Sequence, residues 1–299
     1  KELKAHVLIS KRISQLAEGN HAWLKLERNG RIYGSVNTNG AVTGRCTHSN
    51  PNVAQVPASY SPYGTECRSL FRASTNHLLV GCDADGLELR ALAGYLKQFD
   101  GGTYAEAAVS GTKEAGTDIH TINMRALGID SRDTAKTFFY AFIYGAGDAK
   151  LGTILGGGAK KGRESRAKFL AGVDGLMELT DRVKQVFRRR GHLIGLDGRQ
   201  LHIRSEHSAL NTLLQSAGAV LMKKALILLD ERLKMYYDHC DYEFVANIHD
   251  EFQIEVKEKY AEEIAKHAAE SIHRAGQYFE FGCPLSATSH IGKTWADTH

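Results

Sequence analysis

Three acidic residues lie where short apolar segments of the sequence end or begin. Asp250 and Glu251 stand side by side within IHDEF (248–252), and Asp83 closes an apolar segment at 77–83. Carboxylates at adjoining strand ends repel one another unless cations lie between them. Two magnesium ions held about 3.5–4 Å apart by such a pair can activate an attacking oxygen and stabilise a leaving one. If the fold aligns these segments, they predict phosphoryl transfer, by a polymerase or by a nuclease.

A second pattern lies on one predicted helix, in the segment RDTAKTFFYAFIYGAG (132–147). Arg132, Lys136, Tyr140 and Tyr144 follow one another at four-residue steps, so they form one continuous stripe along the helix. An amphipathic helix with an aromatic-rich core face is the structural alternative. Two cations followed by two rings suit a nucleotide better, with the triphosphate on the cations and the sugar and base on the rings. A nuclease has no use for such a stripe.

Hydrophobic periodicity predicts the elements that must position these residues. The predicted elements are a helix over 1–18, a hairpin over 23–36 turning at Asn29-Gly30, a strand at 77–83 followed by a helix, mostly helical structure over 103–190, a hairpin over 195–203, a long helix over 209–233, strands over 242–248 and 252–256, and a helix over 258–276. His249-Asp250 then lies at or near a hairpin tip, with Phe244, Ala246 and Ile248 on one strand face. Strands at both ends and helices between them predict an α+β fold, a discontinuous sheet domain with a helical insertion.

Composition limits the alternatives. The 299 residues suffice for one large domain or two ordinary ones, and 42% apolar with 24% charged residues is typical of globular proteins. Five dispersed cysteines without CxxC spacing indicate free thiols. We find no signal-peptide pattern and expect no membrane-spanning segment. Positive charge is concentrated at 159–168 and 182–192, as in solvated helix faces or a nucleic-acid contact.

Several segments together resemble a known family. DADGLELR (83–90), RDTAKTFFYAFIYGAG (132–147) and IHDE (248–251) resemble, in this order, the three conserved blocks of family A DNA polymerases, the Pol I type. TGR (43–45) and PNVAQVP (51–57) match a further block. NGAVTGR, AQVP, SPYG and LNTLLQSAGA look most like the replicative polymerases of T-seven-type bacteriophages. The resemblance extends over essentially the whole chain.

The resemblance implies a right-hand polymerase fold, whose palm is an antiparallel sheet with helices and whose fingers are a helical insertion. The implied division is 1–30 for the end of the thumb and its connection, 31–100 for the first part of the palm, 101–195 for the fingers and 196–299 for the second part of the palm. The resemblance implies that the exonuclease domain and most of the thumb, which precede the palm in this family, have no counterpart in these 299 residues. Either a longer polymerase has been cut or the phage encodes it in two pieces.

The resemblance also implies roles for individual residues. The catalytic group is Asp83, Asp250, Glu251 and Lys136. The implied ligands of two Mg²⁺ ions are Asp83, Asp250 and the carbonyl of Ala84. The residues that would contact the incoming dNTP are Arg132, Lys136, Tyr140, Glu88, His120 and Ala84. The residues that would contact DNA are Arg45 and Gln215 in the minor groove, Tyr144 near the templating base and His249 near the primer end.

Some of these residues have other interpretations. Glu88 would lie beside the sugar 2′ position, held by a hydrogen bond to Tyr140, but it could instead complement a helix dipole. His120 could be an ordinary polar residue at a helix N-terminus. The amide of Gln215 would be costly to bury without partners, which favours a DNA-facing position. Asp85 departs from the family, which usually has a small or hydroxyl residue there; it either alters metal affinity or points into solvent.

The function implied by the resemblance is template-directed DNA synthesis at a primer 3′ end by two-metal phosphoryl transfer, for phage DNA replication in the cytoplasm of an infected bacterium. The implied partners are primer–template DNA, dNTPs, an exonuclease–thumb polypeptide, upstream or separate, and a processivity factor or helicase; no membrane is implied. The alternative is a non-catalytic DNA-binding subunit that retains the fold, although binding alone would not need this set of acidic and basic residues.

Overall fold

Residues 2–299 are described here by a computed structural model of the chain. Their α-helices are α1 (Glu2–Ile13), α2 (Trp23–Leu26), α3 (Gly64–Ser69), α4 (Leu87–Asp100), α5 (Thr103–Ser110), α6 (Ile119–Leu127), α7 (Arg132–Ile143), α8 (Asp148–Ile154), α9 (Ala159–Gly172), α10 (Leu176–Arg190), α11 (Ala209–Tyr236) and α12 (Ala261–Tyr278). Their strands are β1 (Glu27–Arg28), β2 (Arg31–Ile32), β3 (Ser35–Asn37), β4 (Thr47–Ser49), β5 (His77–Ala84), β6 (His192–Ile194), β7 (Gln200–His202), β8 (Tyr242–Ile248), β9 (Glu251–Lys257) and β10 (Ala287–Gly292). The predicted α+β class is confirmed.

A four-stranded antiparallel sheet, in the order β10-β5-β9-β8, forms the centre of the first and last parts of the chain. Helices α11 and α12 cover one face, where their apolar side chains pack on Val80, Phe252 and Ile254. A smaller apolar cluster that includes Trp23 and Trp295 covers the opposite face. Because both faces are covered, the middle strand β9 is buried along most of its length.

Helices α5 to α10 form the helical block between the two parts of the sheet domain. Their apolar positions converge on a core that also includes residues of α4 and α11. Phe138 and Phe142 of α7 both make edge contacts with Phe169 of α9, with ring centroids 5.6 and 5.1 Å apart. This aromatic core fixes α7, and the stripe on its other side, within the helical block.

The predicted hairpin at 242–256 is present, but one prediction about its faces is wrong. Ile248 pairs with Glu251, so His249-Asp250 is a two-residue turn. A bulge between Phe244 and Ala246 adds one residue to β8. An extra residue reverses the alternation that follows it. Phe244 therefore packs on the α11–α12 side, whereas Ala246 and Ile248 pack on the opposite face.

The N-terminal region differs from its prediction in two ways. The helix predicted over 1–18 changes after Ile13 into one π-helical segment, Ser14–Glu18, closed by a hydrogen bond from the Gly19 N–H to the Ser14 carbonyl. Trp23–Leu26 is a helical turn, so the predicted hairpin is limited to two residue pairs around Asn29-Gly30. Both turn residues have positive φ, 54° and 76°, as this turn type requires.

Two further features were not expected from the sequence. The end of the chain contributes strand β10, which pairs with β5; no strand was predicted there. Glu206–Tyr236, which includes α11, is long and apolar enough to cross a membrane by length and composition alone. Because 67% of its most apolar window is buried inside the protein, this helix is covered by its own fold.

Candidate active site

Asp83 and the turn that carries Asp250 lie side by side at one end of the sheet. Strands β5 and β9 are antiparallel neighbours, with Asp83 opposite Glu251 in register. The backbone N–H of Ala84 donates to the carbonyl oxygen of Asp250 at 3.0 Å. The fold therefore provides the alignment of acidic segments that their chemistry requires.

The pKa values of both aspartates are raised. Burial, followed by the charges of neighbouring carboxylates, raises the pKa of Asp83 to about 7. Burial and the charge of Glu88, partly opposed by Arg45, raise the pKa of Asp250 to about 6. Like charges in a partly desolvated cluster destabilise one another's ionised forms. Each aspartate therefore favours the uptake of a positive charge, either a proton or a cation.

The donor set suits a hard divalent cation. Two carboxylates and the carbonyl of Ala84 are oxygen ligands of the kind that Mg²⁺ prefers. Among residues 2–299, no group of three or more His, Cys, Asp or Glu side chains is arranged to hold a metal ion. The candidate site therefore offers few protein ligands and leaves coordination positions for water and phosphate oxygens, as Mg²⁺ sites usually do.

Glu251 is held by the end of the chain rather than left free beside the aspartates. Its Oε1 accepts hydrogen bonds from Trp295 Nε1 at 2.7 Å and Gln253 Nε2 at 2.5 Å. His299 Nε2 lies 3.0 Å from the same oxygen. The absence of a side chain at Gly81 permits this packing, since a Cβ there would lie 2.5 Å from Gln253 Nε2. These contacts of Glu251 have no local signature in the sequence.

The predicted stripe lies on α7 and the residue after it. Lys136 is exposed and forms no ion pair among the residues that the structure describes. The rings of Tyr140 and Tyr144 are stacked, with centroids 6.5 Å apart and an interplanar angle of 23°. Arg132, at the start of the helix, is partly exposed. The four side chains thus follow one another from the helix N-terminus towards Glu88.

Sequence reasoning missed Asp118, which orients Arg132. Its Oδ1 lies 2.7 Å from Nη2 and 3.1 Å from Nε of Arg132, so two N–H groups of the guanidinium donate to this one carboxylate oxygen. Asp118 also caps the N-terminus of α6 by accepting from the N–H groups of His120 and Thr121. Although burial opposes it, bonding to Arg132 and Thr121 holds the pKa of Asp118 far below its usual range. Asp118 precedes an apolar helix, so its capping role was detectable, but not its contact with Arg132.

If Arg132 binds the triphosphate, Asp118→Asn should raise the KM for dNTP roughly tenfold, with a smaller change in kcat. Asparagine remains a good N-cap. The substitution removes a charge-assisted bond, typically worth about 1.5–3 kcal/mol, that orients the guanidinium. The measurement is steady-state incorporation at varied dNTP. Glu114→Gln, which removes an exposed negative charge near Arg132 but no hydrogen bond, is the control. Equal KM values for the two variants would contradict an orienting role.

Glu88 connects two residues that were assigned to DNA. Its Oε1 accepts from Arg45 Nη2 at 2.6 Å and from the Tyr144 hydroxyl at 2.9 Å. The prediction of a hydrogen bond between Glu88 and Tyr140 is wrong, because the hydroxyl that donates to Glu88 in this structure is that of Tyr144. Glu88 is buried, with 5% of its surface exposed, so it needs these partners. Its interpretation as a helix-dipole residue alone does not account for the two bonds.

The remaining predicted residues surround this group. His120 contacts the rings of Phe139 and Tyr140, and burial followed by the charges of Arg132 and Lys136 lowers its pKa. His249 occupies the hairpin turn with a φ of 57°, and burial followed by the charge of Arg45 lowers its pKa. A small cavity of about 20 Å³ is lined by residues that include Arg45 and His249.

Gln215 lies on α11, where it is half-buried among apolar neighbours. Its amide forms no hydrogen bond to protein within residues 2–299. An amide in such a position is stabilised only by partners from outside the chain. The geometry is consistent with its predicted contact to DNA, which stays a prediction.

The two basic segments form much of α9 and α10. Some of their cations are paired within the protein: Arg166 Nε donates to Asp148 at 2.8 Å, and Arg188 forms two bonds with Glu206. Others, including Arg189 and Arg190, are exposed. Their contact with nucleic acid stays a prediction.

Comparison with known proteins places this arrangement in one family. The family model described as DNA polymerase family A matches residues 1–297. The chain is 41% identical to the DNA-directed DNA polymerases of Enterobacteria phage T3 and of Escherichia phage T7, in each case over 99% of this chain and 45% of the relative. It is similar in fold, with a TM-score of 0.79 and 22% identity, to the POL domain of Pol1 from M. smegmatis, solved in complex with DNA primer-template and dNTP. That match covers 91% of this chain and 49% of the solved one.

The fold is thus that of a polymerase domain, in which an antiparallel sheet with its helices carries a helical insertion. The chain belongs to DNA polymerase family A. It spans about half the length of the phage relatives that it matches. The division into palm and fingers segments stays a prediction.

Proposed function

We propose that this chain is the catalytic region of a template-directed DNA polymerase, which adds deoxynucleotides to a primer 3′ end for phage DNA replication. The observation that carries the proposal is the register of β5 and β9, which brings Asp83 next to the turn containing Asp250. An aligned pair of carboxylates beside a stripe of two cations and two rings suits nucleotidyl transfer. It does not suit a protein that only binds DNA.

Asp83, Asp250 and the carbonyl of Ala84 would hold two Mg²⁺ ions, which supply charge stabilisation for an in-line displacement at phosphorus. The raised pKa values of the aspartates support this role, since a bound cation relieves their mutual repulsion. Glu251 acts differently. With Oε1 bonded to Trp295 and Gln253, it anchors the strand that follows the Asp250 turn.

Arg132 and Lys136 would bind the triphosphate and stabilise the charge that develops as pyrophosphate leaves. Arg132 is oriented before the nucleotide arrives, because Asp118 grips two of its donors. A preoriented cation pays little reorganisation cost at the moment of reaction. His120, whose pKa is lowered, would remain neutral and donate a hydrogen bond to a phosphate oxygen. Catalysis then depends on positioning and electrostatics rather than on a protein nucleophile.

Glu88 is proposed to exclude ribonucleotides by occupying the space beside the sugar 2′ position. Glu88→Ala should lower the ratio of kcat/KM for dNTP over rNTP by roughly tenfold or more, since removal of a buried side chain opens that space. Glu88→Gln keeps the bulk and should retain most of the selectivity. The ratio is measured by single-nucleotide incorporation with each sugar. If Glu88→Ala leaves it unchanged, Glu88 does not select the sugar.

Tyr140 is proposed to lie against the sugar of the incoming nucleotide. Its hydroxyl can replace the hydrogen bond that a missing 3′-hydroxyl would have made, so we expect efficient use of dideoxynucleotides. Tyr140→Phe should raise discrimination against dideoxynucleotides roughly tenfold or more, which corresponds to the loss of a hydrogen bond worth about 1.5 kcal/mol. Synthesis with normal dNTPs should be nearly intact. Tyr278→Phe, at an exposed tyrosine of α12, is the control. Equal dideoxynucleotide use by both variants would refute this role of Tyr140.

The proposed partners are primer–template DNA, dNTPs and an exonuclease–thumb polypeptide, joined upstream or present as a separate chain. Helix α1 supports the last of these. None of its residues is buried, and Leu3 and Val7 are 75% and 58% exposed. Uncovered apolar surface is a recurrent mark of a partner site. A processivity factor or helicase would complete a replication complex in the cytoplasm of the infected bacterium.

Primer extension with the purified chain tests the proposal. The chain is assayed with Mg²⁺, alone and with the exonuclease–thumb polypeptide, and pyrophosphate release is measured alongside. We expect extension with one pyrophosphate for each nucleotide added. Tight DNA binding without incorporation under either condition would favour the non-catalytic alternative, and strand cleavage without extension would favour a nuclease.

A further inference from the structure

Asp85 is an additional acidic residue only two positions from Asp83. At this position family A polymerases usually have a small or hydroxyl residue, so the resemblance gives Asp85 no role. Its charge is among those that raise the pKa of Asp83. The contacts of Asp85 indicate which role it has beside the candidate metal site.

The carboxylate of Asp85 is bonded to the strand at the edge of the sheet. Oδ2 accepts from the Ser286 hydroxyl at 2.7 Å, and Oδ1 accepts from the Thr288 hydroxyl at 2.8 Å. Thr288 belongs to β10, and Ser286 directly precedes this strand. Both oxygens of Asp85 therefore have hydroxyl donors from one short segment.

The backbone of Asp85 is hydrogen-bonded to the same segment and to α4. Its N–H donates to the Ser286 carbonyl at 2.9 Å, and its carbonyl accepts from Arg90 Nε at 2.9 Å. Arg90 Nη1 in turn donates to the carbonyl of Pro284 at 2.5 Å. Four hydrogen bonds thus tie this one residue to the segment around β10 and to the first turns of α4.

The order of the strands separates these contacts from the candidate metal ligands. β10 lies on one side of β5, and β9, which follows the Asp250 turn, lies on the other. Asp85 is bonded towards β10, whereas the N–H of Ala84 is bonded towards Asp250. The end of β5, which carries Asp83 and Ala84, is therefore held from both sides.

We infer that Asp85 is a positioning residue, which fixes the end of β5 that carries Asp83 and Ala84 against β10 through Ser286 and Thr288, and that it is not itself a metal ligand. The inference rests on the proposed function, since it assigns Asp85 to the support of that same metal site. It makes a specific distinction. Asp85→Asn can keep both contacts, because serine and threonine hydroxyls accept as well as donate hydrogen bonds. The same substitution removes the negative charge, so it would weaken the site if Asp85 were a metal ligand or if its charge were required.

The test compares five proteins: wild type, Asp85→Asn, Asp85→Ala, a double variant that carries Ser286→Ala and Thr288→Val, and a triple variant that adds Asp85→Ala to these two. The double variant, which removes both hydroxyl donors, is called the hydroxyl pair. Mn²⁺ binding is followed by electron paramagnetic resonance in the complex with a dideoxy-terminated primer–template and the next dNTP, so that no turnover is needed. We expect Asp85→Ala and the hydroxyl pair each to weaken Mn²⁺ binding to a similar extent, roughly tenfold, as is typical when a partner of a metal-site residue is lost. The triple variant should bind Mn²⁺ no more weakly than Asp85→Ala or the hydroxyl pair. The affinity of Asp85→Asn for Mn²⁺ should lie within about twofold of that of wild type.

Two results would overturn the inference. If Asp85→Asn binds Mn²⁺ as weakly as Asp85→Ala does, while the hydroxyl pair binds it as tightly as wild type, Asp85 acts through its charge or as a ligand. If neither Asp85→Ala nor the hydroxyl pair weakens Mn²⁺ binding, the contacts do not support the site. The hydroxyl pair keeps the test decisive should Asp85→Ala fail to fold. Failure of wild type itself to bind Mn²⁺ in the complex would instead contradict the proposed function.

Discussion

Asp83→Asn and Asp250→Asn should each reduce nucleotide incorporation by roughly a thousandfold or more. Each substitution removes a charged ligand from the candidate metal site, and metal stabilisation of the transition state is commonly worth several kcal/mol. DNA binding should be largely retained, because neither carboxylate neutralises a phosphate. The rate is measured by single-turnover incorporation with saturating Mg²⁺, DNA and dNTP. Asp181→Asn, which removes an exposed carboxylate of α10, should behave as wild type.

Stability provides a second measurement that does not depend on activity. The pKa of Asp83 is raised from 3.8 to about 7 in the folded protein. Ionisation of Asp83 therefore costs folding stability, and this cost grows as the pH rises from about 4 to about 7. In metal-free buffer Asp83→Asn should raise the unfolding temperature at pH 8 and change it little at pH 4. Normal incorporation by Asp83→Asn, or a lower unfolding temperature at pH 8, would contradict this account.

Addition of the exonuclease–thumb polypeptide should tighten primer–template binding by roughly a hundredfold or more. As a polymerase catalytic region without this partner, the chain would neutralise few phosphates, and DNA affinity depends steeply on that number. The slope of log K against log salt concentration should steepen by about 0.9 for each added phosphate contact. The measurement is fluorescence anisotropy of labelled primer–template over a range of salt concentrations. Strong processive synthesis by the 299-residue chain alone would contradict the need for a partner.

The partner surface can be tested separately through α1. Leu3→Glu with Val7→Glu should abolish co-purification with the exonuclease–thumb polypeptide while leaving the fold intact, because neither residue is buried. The control is Ile227→Glu, at an apolar residue of α11 that is 50% exposed. If the α1 variant still co-purifies and the control does not, the partner binds elsewhere.

The sequence was informative where a residue pattern is local. Alternation predicted strands β8 and β9 and the turn at His249-Asp250, and four-residue spacing predicted the stripe on α7. The pairing of β5 with β9 could not be read from periodicity, because 250 − 83 = 167 residues separate the two aspartates. Only the resemblance to a family indicated that these segments meet.

Several features of the site have no local signature. Strand β10 was missed because its sequence, ATSHIG, shows no clear apolar alternation, as an edge strand with partly exposed residues need not. The bulge in β8 reversed the predicted faces, since one added residue is not visible in an alternating pattern. The partner of Glu88 was misassigned because Tyr140 and Tyr144 lie one helical turn apart on the same stripe, and only side-chain geometry distinguishes them.

Template-directed incorporation is the most direct test of the proposed function. Four primer–templates that differ only in the templating base are each offered all four dNTPs separately, with Mg²⁺ and the exonuclease–thumb polypeptide, and single additions to the primer are quantified. We expect each template to select its complementary dNTP, with pyrophosphate released in equal amount, and Asp250→Asn to abolish all four additions. Incorporation that ignores the template, or full incorporation by Asp250→Asn, would contradict the proposed function.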